Sequence, residues 1–149
     1  MLKINKKVEY ALMALKFMAE KPEGELTSAR EICDKFGVPF DTMAKVMQAL
    51  NNRDILSSVK GIKGGYTLEK SLGQLTFNEI EIIIEGRENT SICQSSKKAC
   101  DLISVCNIKG PVEKLNDHIT KFLSELTLDE LLSNDSSASS VIMENSNER

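Results

Sequence analysis

The 149-residue sequence has one histidine, no tryptophan and no long apolar run. A single His leaves little room for catalysis by a His base with a nucleophile, and no phosphate-binding glycine loop occurs. These absences turn the reading away from a small enzyme, and no small-molecule substrate is expected. The apolar stretches are as short as Ile82-Ile83-Ile84, against the roughly 20 residues that a spanning helix needs. No membrane is therefore expected. The opening M-L-K-I-N-K-K-V-E-Y carries charge but no apolar core, so no secretory signal and a cytoplasmic location are expected. Without export, the four cysteines read as reduced thiols or metal ligands rather than disulfides.

What is present is enough for a core. Hydrophobic residues make up 41% of the chain, so folding needs no disulfide framework. The length suits one domain with a small addition. The net charge of −3 argues at first against nucleic acid, but it is unevenly spread. Residues 1–75 hold 12 Lys+Arg and 9 Asp+Glu, and the remainder holds 7 and 13. A mildly basic half is joined to an acidic one, which itself is a clue to division of labour.

Helical spacing of Val8, Ala11, Leu12, Leu15 and Met18 predicts an amphipathic helix over about residues 5–20. Ser28-Ala29-Arg30-Glu31 reads as a capping box. It opens a short helix with Ala29, Ile32 and Phe36 on its apolar face and Gly37 at its end. Val38-Pro39 starts a third helix with Met43, Val46, Met47 and Leu50 inward. Two short helices about a glycine turn make a helix-turn-helix pattern. Ile55-Leu56-Ser57-Ser58-Val59 and Tyr66-Thr67-Leu68 read as strands joined by Lys60-Gly61-Ile62-Lys63-Gly64-Gly65. A hairpin directly after a helix-turn-helix is a wing. Gly61, Gly64 and Gly65 permit positive φ and close backbone approach, and Lys60 and Lys63 can reach phosphate or the minor groove. The plainer alternative is a solvated turn with incidental lysines.

Beyond Gly73, Thr76-Phe77-Asn78-Glu79 is a second capping box, opening a helix with Phe77, Ile80, Ile83 and Ile84 inward and ending near Gly86. A polar stretch with three cysteines follows. Gly110-Pro111 opens a long helix with Val112, Leu115, Ile119, Phe122, Leu123 and Leu126 on one face. Thr127-Leu128-Asp129-Glu130 is a third capping box. From Ser133 the chain turns Ser/Asn/Glu-rich and reads as a disordered tail. The expected fold is mainly α with a small β-wing. A winged helix-turn-helix occupies 1–75, a cysteine loop and dimerisation helices 76–132, and a tail 133–149. The apolar stripe of the long helix needs a partner, and a subunit interface suits it, because symmetric dimers read symmetric half-sites.

Cys93, Cys100 and Cys106 are spaced C-x6-C-x5-C. Three thiols so close together in a polar loop point to metal ligation. Zinc favours C-x2-C pairs, whereas wider gaps suit a loop wrapped round a cluster. Three Cys leave one ligand to be found: His118, a carboxylate, or a residue of another subunit. Cys33, on the short helix beside its apolar stripe, reads as a small core residue.

In these motifs the chain resembles the bacterial winged-helix regulators typified by the iron–sulfur regulator IscR and the nitric-oxide sensor NsrR. The likeness covers about residues 1–132. It rests on V-E-Y-A-L, L-S-S-V-K-G-I-K-G-G-Y, L-T-F-N-E-I, the cysteine loop and F-L-S-E-L-T-L-D-E-L-L, in that order. The resemblance implies a homodimeric regulator, read as a repressor, that binds double-stranded operator DNA. It implies an iron–sulfur cluster, [2Fe–2S] or [4Fe–4S], held by Cys93, Cys100 and Cys106. In several members an acidic residue before a Tyr-Ala pair of the partner's first helix is the fourth ligand, which corresponds here to Glu9. IscR-like proteins use a His three residues after the last Cys, where this chain has Lys109. The first Cys gap is one longer than the family's, which leaves the cluster type open. By the same resemblance the third helix enters the major groove, with Asp41, Thr42 and Lys45 on its early outward face and Lys60 and Lys63 on the wing. Asp41 has a plainer alternative as a helix cap, and Glu9 as a surface carboxylate near Lys6. A cluster-free regulator, using a thiol–disulfide switch or a partner protein, is the alternative reading.

Overall fold

The computed structural model describes residues 4–86 and 100–133. The described chain is helical apart from one two-stranded sheet, in the order α1 (Lys6–Ala19), α2 (Ala29–Phe36), α3 (Phe40–Asn51), β1 (Leu56–Val59), β2 (Gly65–Leu68), α4 (Phe77–Glu85), α5 (Lys109–Glu125) and α6 (Leu128–Leu132). A single 3-10 turn, Leu72–Gln74, joins β2 to α4.

Helix α1 is the centre of the molecule. Asn5 caps it by accepting from the Lys7 N–H. Its buried residues are Val8, Ala11, Ala14, Leu15, Phe17 and Met18. That is wider than a single amphipathic stripe, because α1 packs against α3, α4, β2 and the 3-10 turn together. A helix covered from several sides buries positions that one-face periodicity assigns to solvent, here Ala14 and Phe17.

The helix starts follow local chemistry. Ser28 accepts from the Glu31 N–H at 3.1 Å, but the expected return bond is replaced. The Glu31 carboxylate lies 2.6 Å from the Lys21 ammonium, which also pairs with Glu25 at 3.3 Å. Burial works against the Lys21 charge, yet the bonds to Glu31 and Glu25 outweigh it and raise its pKa. Gly37 closes α2 in the left-handed conformation, φ 67°, where a side chain would be strained. Pro39 is the N-cap of α3 rather than part of its first turn. Thr76 and Glu79 form the full reciprocal capping box of α4. At α6 only the hydroxyl half forms, Thr127 accepting from the Glu130 N–H at 3.2 Å.

One core holds these elements. It joins Val8, Leu15, Ile32, Met43, Met47 and Leu50 with Leu75, Phe77, Ile80, Leu123 and Leu128. Residues on both sides of Leu75 therefore share an interior. A short antiparallel bridge pairs Thr76 with Thr127. Its bonds run from the Phe77 N–H to the Leu126 carbonyl at 3.0 Å and from the Leu128 N–H to the Leu75 carbonyl at 2.9 Å. Among the described residues no helix is long and apolar enough to cross a membrane. Apart from Ser133, the expected tail lies outside the described residues.

Candidate nucleic-acid interface and cysteine segment

Helix α3 buries Met43, Val46, Met47 and Leu50, so its opposite face is free. Asp41 and Lys45 are exposed there, with Thr42 half-buried beside them. Asp41 does not cap the helix: α3 has no side-chain cap bond. Its place in the first turn is still favourable, because a carboxylate complements the helix N-terminal dipole. Gln48, one turn beyond Lys45, is exposed on the same side.

The wing pairs Leu56 with Leu68, Ser57 with Thr67, Ser58 with Tyr66 and Val59 with Gly65. Lys60 and Lys63 are exposed in the connecting turn, with Ile62 fully exposed between them at its tip. The three glycines do different work. Gly61 alone uses a positive φ, 122°. A side chain on Gly64 would run into the Val59 carbonyl oxygen, and into that of Gly61 at 2.9 Å. Gly65 lets β2 close on Thr27, whose carbonyl oxygen a Cβ would meet at 3.0 Å. Thr27 and Tyr66 exchange two backbone hydrogen bonds of 2.9 Å. The residue before the Ser28 cap is thus a one-residue third strand, and it ties the wing to the start of the helix-turn-helix.

Gly64→Ala is expected to open the turn while leaving the helices intact. Far-ultraviolet circular dichroism should be nearly unchanged. Affinity for duplex DNA should fall by at least about tenfold, or ~1.4 kcal/mol. Unchanged affinity would remove the wing from the DNA contact.

A further pair stands at the junction of α2 and α3. The Arg30 guanidinium on α2 lies over the Phe40 ring, 4.9 Å from its centroid. The sequence motifs did not reveal it, although an aromatic at the first position of α3 was a usable signal.

The cysteines separate by environment. Cys33 is half-buried and packs against the core. Burial raises its pKa, Asp34 adds to the rise, and Arg30 opposes it. That is the setting of an inert thiol. Cys100 is exposed and Cys106 half-buried, on a run of turns in which the Ile103 N–H donates to the Cys100 carbonyl and the Val105 N–H to the Leu102 carbonyl, both at 3.0 Å. Cys93 lies outside the described residues. Among those described, no three His, Cys, Asp or Glu side chains gather as a metal site. Glu9 stands in the first turn of α1, paired with Lys6 at 2.6 Å. That bond and charge raise the Lys6 pKa. His118 is exposed on α5. Leu102, Val105 and Ile108 are exposed, and beyond them so are Leu115, Ile119 and Phe122 of α5. The sole buried residue of α5 is Leu123.

A helix-turn-helix with a β-wing, carried on a helical core, defines a winged-helix protein. The family model of the Rrf2 iron-dependent transcriptional regulators matches residues 4–134. The chain belongs to that family. Solved structures share the fold. The global cysteine regulator CymR (YrzC) of B. subtilis is 23% identical, with TM-score 0.68, over 91% of this chain and 99% of that one. The oxidised form of CymR from Staphylococcus aureus is 22% identical, with TM-score 0.68, over 90% and 98%. IscR of T. potens is 23% identical, with TM-score 0.66, over 92% and 90%. Membership in a family of transcriptional regulators accords with the absence of an enzyme motif from the sequence.

Proposed function

We propose that the chain is a homodimeric, operator-binding repressor whose DNA affinity is set by an iron–sulfur cluster on Cys93, Cys100 and Cys106. The observation that carries this reading is continuity on one side of the molecule. The segment bearing Cys100 and Cys106 runs directly into α5, whose outward face leaves Leu115, Ile119 and Phe122 uncovered. A ligand-bearing segment beside a self-association face can couple what it holds to the geometry of a dimer.

The donor chemistry fits such a cluster. The two described thiols, unlike Cys33, do not pack against the core, and thiolates are the usual ligands of iron–sulfur centres. When bound, a cluster supplies a redox- and nitric-oxide-sensitive centre. Glu9 of the partner subunit is the fourth ligand in this reading. Its side chain is 39% exposed and, among the described residues, pairs with Lys6 through an exposed i,i+3 contact that is easily given up. Residues 1–75 then read DNA through Asp41, Thr42, Lys45, Lys60 and Lys63, and residues 76–132 hold the cluster and the dimer.

The test is protein prepared without oxygen and titrated with duplex DNA selected from a random pool. A brown protein that binds one sequence, more weakly as salt rises, supports the reading. Colourless protein that binds DNA only in its reduced or only in its oxidised thiol form replaces the cluster with a thiol–disulfide switch.

A further inference from the structure

We infer that Arg30 is a phosphate-contacting residue of the DNA interface and that Phe40 is the positioning residue that aims it. The inference rests on the DNA-binding reading above and deepens it.

Each residue is oddly placed by itself. Arg30 lies in the first turn of α2, just after the Ser28 cap. There a cation opposes the helix dipole, and acidic residues are the ones favoured. Phe40 is the first residue of α3 and is 44% exposed, although an aromatic ring gains most from burial. Two unfavourable placements meet, with the guanidinium 4.9 Å from the ring centroid. Among the described residues Arg30 makes no ion pair, and its neighbour Glu31 is engaged by Lys21 at 2.6 Å. The charge therefore stays available.

A cation over a ring is held by the charge itself, and the guanidinium N–H groups turned away from the ring remain free to donate. Those groups match the two oxygens of a phosphate. The location suits such a partner. In a helix-turn-helix the first helix crosses the sugar–phosphate backbone, and the start of the second meets the base edges. A side chain from the start of α2 resting on the first residue of α3 stands where these two contacts join. Holding it there beforehand lessens the rotamer freedom lost on binding. A phosphate contact positions the protein without reading sequence, so its loss should weaken all duplexes alike.

The experiment titrates the full chain with its selected operator duplex and with a mixed-sequence duplex, each over a series of salt concentrations. Arg30→Gln should weaken both about tenfold and flatten the log–log salt slope by about 0.9 per chain, the value of one phosphate contact. Phe40→Leu keeps the charge, so its slope should match the parent while affinity falls about threefold. The double variant should be no weaker than Arg30→Gln, because the ring acts through the arginine. Arg30→Lys should keep the slope and recover only part of the affinity. An unchanged slope in Arg30→Gln, or fully additive losses in the double variant, would overturn the inference. Failure of the parent chain to bind either duplex would instead overturn the DNA-binding reading beneath it. Both substituted positions are exposed or half-exposed, and matching thermal midpoints would confirm that the variants fold.

Discussion

Cys100→Ala and Cys106→Ala should each remove the visible absorption of anaerobically prepared protein, and Cys33→Ala should leave it intact. The contrast follows from environment rather than residue type. Cys33 packs against the core, and burial there raises its pKa and disfavours the thiolate that a metal requires. Cys100 is exposed and Cys106 half-buried, on a turn segment with no place in the core. A cluster short of one cysteine has two ligands left from the trio, too few for the usual four even with Glu9 of the partner subunit. The expected loss is thus nearly complete. Iron and sulfide analysis on the same samples checks it, because a bleached spectrum with full iron content would mean conversion and not loss. If Cys33→Ala bleached the protein and Cys106→Ala did not, the ligand assignment would be wrong.

The second large effect concerns self-association. Leu115, Ile119 and Phe122 are 54%, 41% and 62% exposed and recur at i, i+4 and i+7 on α5, which places them on one face. Burying one such side chain stabilises by roughly 1.5–3 kcal/mol. A two-fold axis doubles each contribution. Ile119→Glu with Phe122→Glu puts four carboxylates into that interface per dimer. The dissociation constant should rise by about a thousandfold or more, some 4 kcal/mol, and sedimentation should change from dimer to monomer. Glutamate is a good helix former at an exposed site, so helix content should hold. A variant that still sediments as a dimer would place the interface elsewhere. With dimers lost, operator affinity should fall steeply, since the two half-sites are no longer engaged together.

The legible parts of the fold were those in which local chemistry and tertiary packing agree. Gly37, the Thr76–Glu79 box and the glycine-rich turn of the wing each do locally what the whole structure needs. The misreadings fall where a distant partner intervenes. Glu31 has the spacing of a capping-box residue, but Lys21 on the preceding linker takes its carboxylate. Ala14 and Phe17 look peripheral on a helical wheel but are buried, because α1 is covered from more than one side. The 3-10 turn at Leu72–Gln74 carries its own capping box from Ser71 and Gln74, on a segment too short for periodicity to register.

The site was legible in a similar, uneven way. The wing lysines and the outward positions Asp41 and Lys45 follow from spacing alone and are exposed, whereas Thr42 is half-buried, and Cys33 and Cys106 are both half-buried although only Cys33 packs against the core. The Arg30–Phe40 stack was not legible, because its members lie ten positions apart on different helices. Nor was the bond between Thr27 and Tyr66, which needs the hairpin to fold back on the linker before α2.

The bridge between Thr76 and Thr127 has a mechanical meaning. It pins the C-terminal end of α5 to the beginning of α4, so in the proposed regulatory reading a tilt of α5 turns about a point fixed at the core. Helix α5 has 17 residues, and at 1.5 Å per residue its arm is about 25 Å long. A tilt of about 5° at such a pivot carries the free end roughly 2 Å, a distance that follows from the arm length alone. Cys106 stands three positions before that free end. The pivot bonds at Leu75 and Leu128 are at residues buried in the core with α1. In the proposed regulatory reading, an ångström-scale displacement at Cys106 corresponds to a tilt of a few degrees at this bridge, beside the core that α1 shares.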